Sequence, residues 1–471
     1  MSDTQTISRK IQIFPVGDKE EINRVYKYIK EGMFNQNKAM NQYISALFMS
    51  YMQEISKEDR KELNQLYSRI SSSKKGSAYS LDIEFAKGLP MGGSISQKVK
   101  QDFSKSVKDG LLYGKVSLPT YKKDNPLLVH VDYVRLRSTN PHLDNGLYHE
   151  YGNHQEFLSA LKNERPEIFI KFANNILFKV VFGNPHKSQE LRCVIQNIFE
   201  ENYKVQGSSI QFDKTGKKII LNLSLAIPKQ KHELDENTVV GVDLGQAIPA
   251  VCGLNNDTYA REYIGSIDDF LRVRTQIQAQ KRRLQKSLKN SNGGHGRKKK
   301  MKPMDRFTEY ESNFVQTYNH MVSKRVVDFA LKHNAKYINI ENLRGYDTSK
   351  FILRNWSYYQ LQQYITYKAN IHGIEVRYIN PCYTSQVCSF CGHWEEGQRK
   401  DQPTFVCGNE NCNGKKADSK REFINADFNA ARNIAKSTLF MDGSTEITHK
   451  DMKEAREYYG IPEKLSEEIP A

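Results

Sequence analysis

The sequence lacks any run approaching the ~18 consecutive apolar residues that a membrane-spanning helix needs, so a helical membrane protein is not expected. Its start, MSDTQTISRK, has no apolar h-region, so export by a signal peptide is not expected either. Cysteine is scarce: there are seven in 471 residues, five of them between Cys382 and Cys412. Such clustering argues against a secreted disulfide framework and for metal ligation in a cytosolic chain. Acids are outnumbered, 54 against 70 Lys and Arg, which leaves a formal charge of +16. The tail runs the other way, with eight acids and four bases in residues 437 to 471, so the basic excess belongs to the body. That excess suits nucleic acid or an acidic membrane surface, and 26 tyrosines add base-stacking capacity to the first option. A merely soluble basic protein is the bland alternative. The length implies roughly three domains at about 150 residues each and excludes a single small binding module.

Hydrophobic periodicity divides the chain. Ile11 and Ile13 alternate ahead of Pro15, as in an edge strand. From Glu20 the period becomes helical, with Ile22, Val25, Ile29 and Met33 on one face. Beyond residue 115, hairpins are expected at Ile168 to Phe172 with Ile176 to Phe182, and at Ile210 to Phe212 with Ile219 to Leu225. They suggest a β-rich domain, a small barrel if the first strand joins it. After the linker at Pro228 to Glu236, three β-like runs precede two amphipathic helices, then strands at Tyr337 to Ile340 and Glu375 to Ile379 alternate with helix. This is the order of a ribonuclease-H-like α/β fold.

Three acids stand in unusual contexts. Asp243 ends the apolar run Val239 to Val242 and precedes Leu244-Gly245; Glu341 ends Tyr337 to Ile340. An ionised group at the tip of a buried strand needs a cation or a hydrogen-bond network. Asp427 lies in a helical segment, Asn425 to Ala435, whose small residues permit close packing on a sheet. Three convergent carboxylates suit two Mg²⁺ ions, which would hydrolyse a phosphodiester without a covalent intermediate. Each acid taken alone could equally cap an element or pair with a base.

Cys388-Ser389-Phe390-Cys391-Gly392 has the form of a zinc knuckle, and Cys407 with Cys412 follows after fifteen residues. Two such pairs predict a four-thiolate structural Zn²⁺ site, with the second pair widened and a metal-free ribbon as the alternative. Cys382 and His393 are rival ligands; Cys193 and Cys252 are expected in the core. Residues 281 to 302 carry ten Lys or Arg and no acid, including Arg297, Lys298, Lys299 and Lys300. With Gly293, Gly294 and Gly296 they predict a strand-binding or gating loop, against a solvated linker. Tyr121, Lys122 and Lys123 form a further candidate backbone contact, or an exposed turn. The aromatic group Trp356, Tyr358, Tyr359, Tyr364 and Tyr367 could stack on bases, though its helical spacing better suits core packing.

Together these motifs resemble the RuvC-type nucleases of the miniature type V-F CRISPR effectors and their transposon-encoded TnpB relatives. The carrying residues are Gly241 to Gly245, Gly293 to Arg297 with Lys302-Pro303, Ile340 to Leu343, Trp356 with Tyr367 to Ala369, Tyr383-Thr384-Ser385-Gln386 running into Cys388 to Gly392, and Ala426 to Ala431. The resemblance spans residues 238 to 436 and weakens before them. It implies an RNA-guided DNA endonuclease that reads a short flanking motif and cuts both strands at one RuvC site. Asp243, Glu341 and Asp427 would be its metal-binding acids, and the cysteine ribbon its target-nucleic-acid-binding insert.

The implied organisation is mixed α/β and β. It has a wedge β-barrel (1–19 and 115–230) interrupted by a helical recognition domain (20–114), then a linker (231–237). A RuvC domain (238–384 with a final helix at 425–436) carries the zinc ribbon (385–424) and is followed by the acidic tail (437–471). Guide RNA and double- and single-stranded target DNA would be partners, with two copies on one guide RNA, in a prokaryotic cytoplasm. A TnpB-like transposon nuclease and a cleavage-inactive RNA-guided binder are the alternatives.

Overall fold

The computed structural model describes residues 3–54, 92–111, 114–138, 167–172, 176–183, 188–213, 215–245, 247–289, 297–343, 358–401, 403–414, 423–443 and 447–462. The chain forms two compact units, Met1–Pro228 and Lys229–Ala471.

In the first unit β1 (Thr4–Pro15) leads into α1 (Lys19–Glu54), which packs on α2 (Gly92–Lys108). The helical period is explained by burial of Ile29, Ile44 and Leu47 on α1 and of Val99 and Phe103 on α2. The remaining elements are β2 (Leu127–Val129), β3 (Arg135–Ser138), β4 (Ile168–Lys171), β5 (Leu177–Val180), α3 (Gln189–Phe199), β6 (Lys204–Phe212) and β7 (Ile219–Pro228). The strands make one seven-stranded sheet in the order β2-β6-β7-β1-β5-β4-β3, with antiparallel neighbours throughout. Both hairpins form, β4 with β5 and β6 with β7.

Two expectations are corrected. β1 is an interior strand between β7 and β5, not an edge strand; Pro15 is tolerated because it is the strand's last residue. The β-rich region also contains α3, which buries Val194, Ile195 and Phe199 along one face and leaves Cys193 exposed instead of in the core.

The second unit contains β8 (Asp235–Asp243), β9 (Ala250–Leu254), β10 (Arg261–Ile264), α4 (Ile267–Lys289), α5 (Arg297–Lys332), β11 (Ala335–Glu341), α6 (Tyr358–Ile371) and β12 (Glu375–Ile379). Then come β13 (Thr404–Phe405), β14 (Ile424–Asn425), α7 (Ala426–Lys436), β15 (Phe440–Met441) and α8 (His449–Tyr458). Its six-stranded sheet has the order β10-β9-β8-β11-β12-β15. The central strands β8, β11 and β12 are parallel, while β9, β10 and β15 run antiparallel to their neighbours.

Strand alternation sorts the central residues onto two faces. Val240, Val242, Ile338 and Ile340, each 0% exposed, enter a core with Val322 and Val326 of α5 and Leu361 and Ile365 of α6. Burial of each such side chain contributes about 1.5–3 kcal/mol. The intervening Gly241, Asp243, Asn339 and Glu341 face α7. A Cβ on Gly241 would collide with the carbonyl of Ala431 and the amide of Ala435, so backbone packs on backbone there. Asn339 donates a 3.0 Å hydrogen bond to the Ile434 carbonyl, securing the end of the same helix. Among the described residues no helix is long and apolar enough to cross a membrane.

Candidate active site and metal centre

Asp243 and Glu341 end neighbouring parallel strands in matched register, since Val242 lies opposite Ile340. They therefore leave the sheet side by side on the face covered by α7. That helix is preceded by Asn425, whose side chain caps the Phe428 amide at 2.9 Å. Asp427 stands in its first turn, 5% exposed. The acids sense one another. Burial, then the negative charges of Glu341 and Asp427, hold the Asp243 carboxyl well above its ordinary value, with the Arg399 charge opposing. Burial likewise pushes Glu341 up to about 7 against a hydrogen bond from Thr384 and the charge of Arg399. Asp427 is also raised by burial and opposed by Arg399.

Two contributors were not visible as site residues in the sequence. Thr384 donates a 2.7 Å hydrogen bond to Glu341 Oε1, which fixes the carboxylate's rotamer, while the Pro381 carbonyl oxygen, 2.9 Å from the same hydroxyl, is the alternative acceptor for its single proton. Arg399 brings its Nη2 to 3.8 Å from Asp427 Oδ1. Thr384 belonged to a recognisable motif, but nothing in the chain order reveals its partner; Arg399 is simply one base among 70. Gln362 adds a 2.8 Å hydrogen bond to the Glu341 carbonyl oxygen from α6.

The four ribbon cysteines converge, with all Sγ atoms within 4.8 Å of one another. Cys388 and Cys412 sulfurs are 3.5 Å apart, and those of Cys391 and Cys407 are 3.6 Å apart. A tetrahedral ion with bonds of about 2.3 Å requires sulfur separations of about 3.8 Å, so the set can hold a metal such as zinc. The widened second pair is accommodated by the turn in which the Cys412 amide reaches the Asn409 carbonyl at 3.1 Å. Cys382 and His393 stay outside the cluster; His393 contributes its carbonyl to the Cys388 amide at 3.0 Å. Cys252 is buried within β9.

The ribbon is tied to the helix that carries Asp427. Asn433 donates to the carbonyls of Thr384 and Val387, both at 2.7 Å, Asn429 accepts from the Ser389 amide at 2.8 Å, and Lys436 reaches the Ser389 carbonyl at 2.6 Å. The Arg432 guanidinium stacks 4.3 Å from the Phe390 ring.

The basic candidates fare differently. Tyr121 is buried, and its hydroxyl donates to Asp102 at 3.0 Å while its backbone bonds Asn41, so its ring serves packing between α2 and the following loop. This corrects its reading as a nucleic-acid contact. Lys122 and Lys123 are exposed. Arg297 through Lys300 form the first turn of α5 rather than a loop; the glycines before them and Trp356 lie outside the described residues. Tyr364 stacks on His320 at 4.1 Å, which is helix packing between α5 and α6, while Tyr359 is 60% exposed.

Residues 358–434 match the family model for the Cas12f1-like TNB domain. Over 352 residues the chain is 34% identical to a CRISPR-associated endodeoxyribonuclease Cas12f1 of Sulfoacidibacillus thermotolerans, covering 73% of this chain and 76% of that protein. A Cas12f1 of Syntrophomonas palmitatica is 34% identical over 373 residues, 70% and 69% of the two chains. The cryo-EM structure of a Cas12f1–sgRNA–target DNA complex superposes with a TM-score of 0.62 at 19% identity, covering 93% of this chain and 100% of that one. By sequence and by fold, the chain belongs to the Cas12f1 family of CRISPR-associated endodeoxyribonucleases.

Proposed function

We propose that the protein is an RNA-guided DNA endonuclease whose single RuvC-type site, built on a ribonuclease-H-like sheet, cuts both strands of its target. The observation that carries this reading is the pairing of Asp243 with Glu341 at the ends of adjacent parallel strands, under the charge of Asp427. Two buried carboxylates, Glu341 and Asp427, whose charges disfavour ionisation of the half-buried Asp243 beside them, call for cationic compensation, and oxygen-only donors suit magnesium. Asp243, Glu341 and Asp427 would hold it. Magnesium bound there supplies charge stabilisation for phosphodiester hydrolysis. Thr384 orients Glu341, Gln362 fixes the strand end behind it, and Arg399 supplies positive charge where a DNA phosphate would arrive.

The cysteine ribbon, as a zinc-bound module, would present target DNA to this site from its anchorage on α7. The seven-stranded sheet and helical insertion of the first unit would serve as wedge and recognition domains, gripping guide RNA and reading the flanking motif. Sequence recognition is delegated to base pairing, so the protein contributes charge and shape, with Lys122, Lys123 and the basic start of α5 among the backbone contacts. Two copies would share one guide RNA in a prokaryotic cytoplasm.

The test is to purify the protein with its RNA, sequence that RNA, and assay cutting of a matching plasmid with and without magnesium. Repeat-derived RNA and metal-dependent double-strand cleavage are expected. Intact plasmid under all conditions would leave only an RNA-guided binder, and RNA from a transposon end would favour the TnpB-like reading.

A further inference from the structure

Arg432 lies in the middle of α7 and is 2% exposed. Its stem passes β9 where Gly253 leaves room, since a Cβ on that glycine would come within 3.1 Å of Arg432 Cγ. Its guanidinium ends over the ribbon, against the Phe390 ring, with Nη1 3.5 Å from Ser389 Oγ. Nε has no hydrogen-bond partner. Asp257 attracts the group from a distance, without an ion-pair contact among the described residues. A buried cation held by one long hydrogen bond and a ring face is costly unless negative charge stands near it. Lys436 follows one turn later on the same side of the helix and donates to the Ser389 carbonyl at 2.6 Å. Both bases therefore meet at Ser389, the residue after the ribbon cysteine Cys388. Burial lowers both bases, Lys436 also through the charge of Arg432, and negative charge on the Cys388 sulfur opposes the shift in each.

We propose that Arg432, assisted by Lys436, is the countercharge of the ribbon's metal centre and sets how tightly the ribbon holds its ion. Four thiolates around one divalent ion leave two negative charges uncompensated, which a buried site tolerates poorly alone. The loaded ribbon supplies the anion that Arg432 lacks, and Arg432 supplies the cation that the thiolates lack, so each offsets the other's burial. The coupling is reciprocal: metal in the ribbon also steadies α7, the helix whose first turn carries Asp427. The inference rests on reading the ribbon as a zinc module, and the chemistry of the acid site does not enter it.

The experiment takes the full zinc-loaded chain and withdraws zinc with a chelating dye, comparing Arg432→Met, Arg432→Lys and Lys436→Met with the unmutated protein. Residues that support a metal site from behind its ligands are worth about 10–100-fold in affinity, so Arg432→Met should hold zinc at least about tenfold more weakly. Arg432→Lys keeps the charge and should restore most of that loss. Lys436 is exposed, so Lys436→Met should fold normally and weaken zinc by a smaller factor. In excess chelator the melting temperature of Arg432→Met should match or exceed that of the unmutated protein, because a buried cation without its anion has been removed. With zinc the order should reverse. Unchanged zinc affinity in Arg432→Met overturns the proposal, and so does a melting temperature lowered as much without zinc as with it, which would give Arg432 to the fold alone. Unchanged affinity in Lys436→Met overturns the shared assignment even if Arg432→Met fails to fold. Zinc loading should also slow amide exchange along α7, and less so in Arg432→Met; an equal effect in both would overturn the reciprocal link. An unmutated chain that carries no zinc overturns the ribbon reading itself, a result that elemental analysis separates from every other outcome.

Discussion

Thr384 holds Glu341 in place through a 2.7 Å hydrogen bond between its hydroxyl and Oε1. The bond joins the loop entering the cysteine ribbon to the end of β11, and it supports a carboxylate that burial pushes up to about 7. Hydrogen bonds to charged groups are worth about 1.5–3 kcal/mol. Thr384→Val keeps the shape and removes the donor, so single-turnover cleavage should fall about tenfold or more, with Thr384→Ser restoring most of it. Equal rates for the valine variant and the unmutated protein would show that Glu341 needs no such support.

Asp243 sits among like charges, and its carboxyl is held well above the ordinary range by burial and by Glu341 and Asp427. Asp243→Asn should therefore abolish plasmid cutting while guided DNA binding stays within a few fold. Without divalent cations the same change relieves repulsion, and the melting temperature should rise by about 2–4 °C for each kcal/mol gained. Calorimetry in a chelating buffer reads the effect, and a lower melting temperature would contradict the electrostatic account of the site.

The ribbon makes a separate prediction. Burial raises the Cys388 thiol far above its usual range and pushes Cys407 up to about 12, so without metal both stay protonated at neutral pH. Metal binding must displace those protons, so zinc affinity should fall as pH drops. Elemental analysis should find one zinc per chain at neutral pH. Cys407→Ser should lower that content and speed amide exchange across the ribbon, while β8 and β11 keep their protection. Full zinc occupancy in the serine variant would remove Cys407 from the ligand set.

Glu311 links the two long helices α4 and α5. Its burial raises the carboxyl, but hydrogen bonds from Arg274 at 2.9 Å and Gln278 at 3.2 Å, with the charges of Arg274 and Lys281, outweigh that and leave it below its usual value. A depressed folded-state value means stability present above the unfolded carboxylate range and lost as pH falls through the folded one. Glu311→Gln should flatten this acid-side loss, by about 1 kcal/mol or less for a partly exposed pair. Urea melts at neutral and mildly acidic pH would measure it, and parallel pH profiles for the two proteins would refute it.

The strand ends that carry Asp243 and Glu341 were legible because an apolar run stopping at an acid is a local signal, and the cysteine pairs because ligand spacing is local too. Arg399 was not, since its approach to Asp427 depends on how the ribbon folds back onto α7. The interior position of β1 escaped for a similar reason: its partners β5 and β7 arrive much later in the chain, and local alternation does not reveal how many neighbours a strand has. α3 was hidden because its short apolar face, Val194, Ile195 and Phe199, is flanked by strands. Tyr121 was misjudged because two adjacent lysines suggested exposure, whereas Asn41 and Asp102, remote in the chain, draw it inward.

Gly241 leaves a bare stretch of main chain against which α7 rests, at the level of Ala431 and Ala435. With no side chain between strand and helix, there is no cushion to absorb a shift of either one. A single added carbon there would lever the helix outward and carry Asp427 away from the other two acids, so the spacing of the whole trio hangs on an atom the protein leaves out.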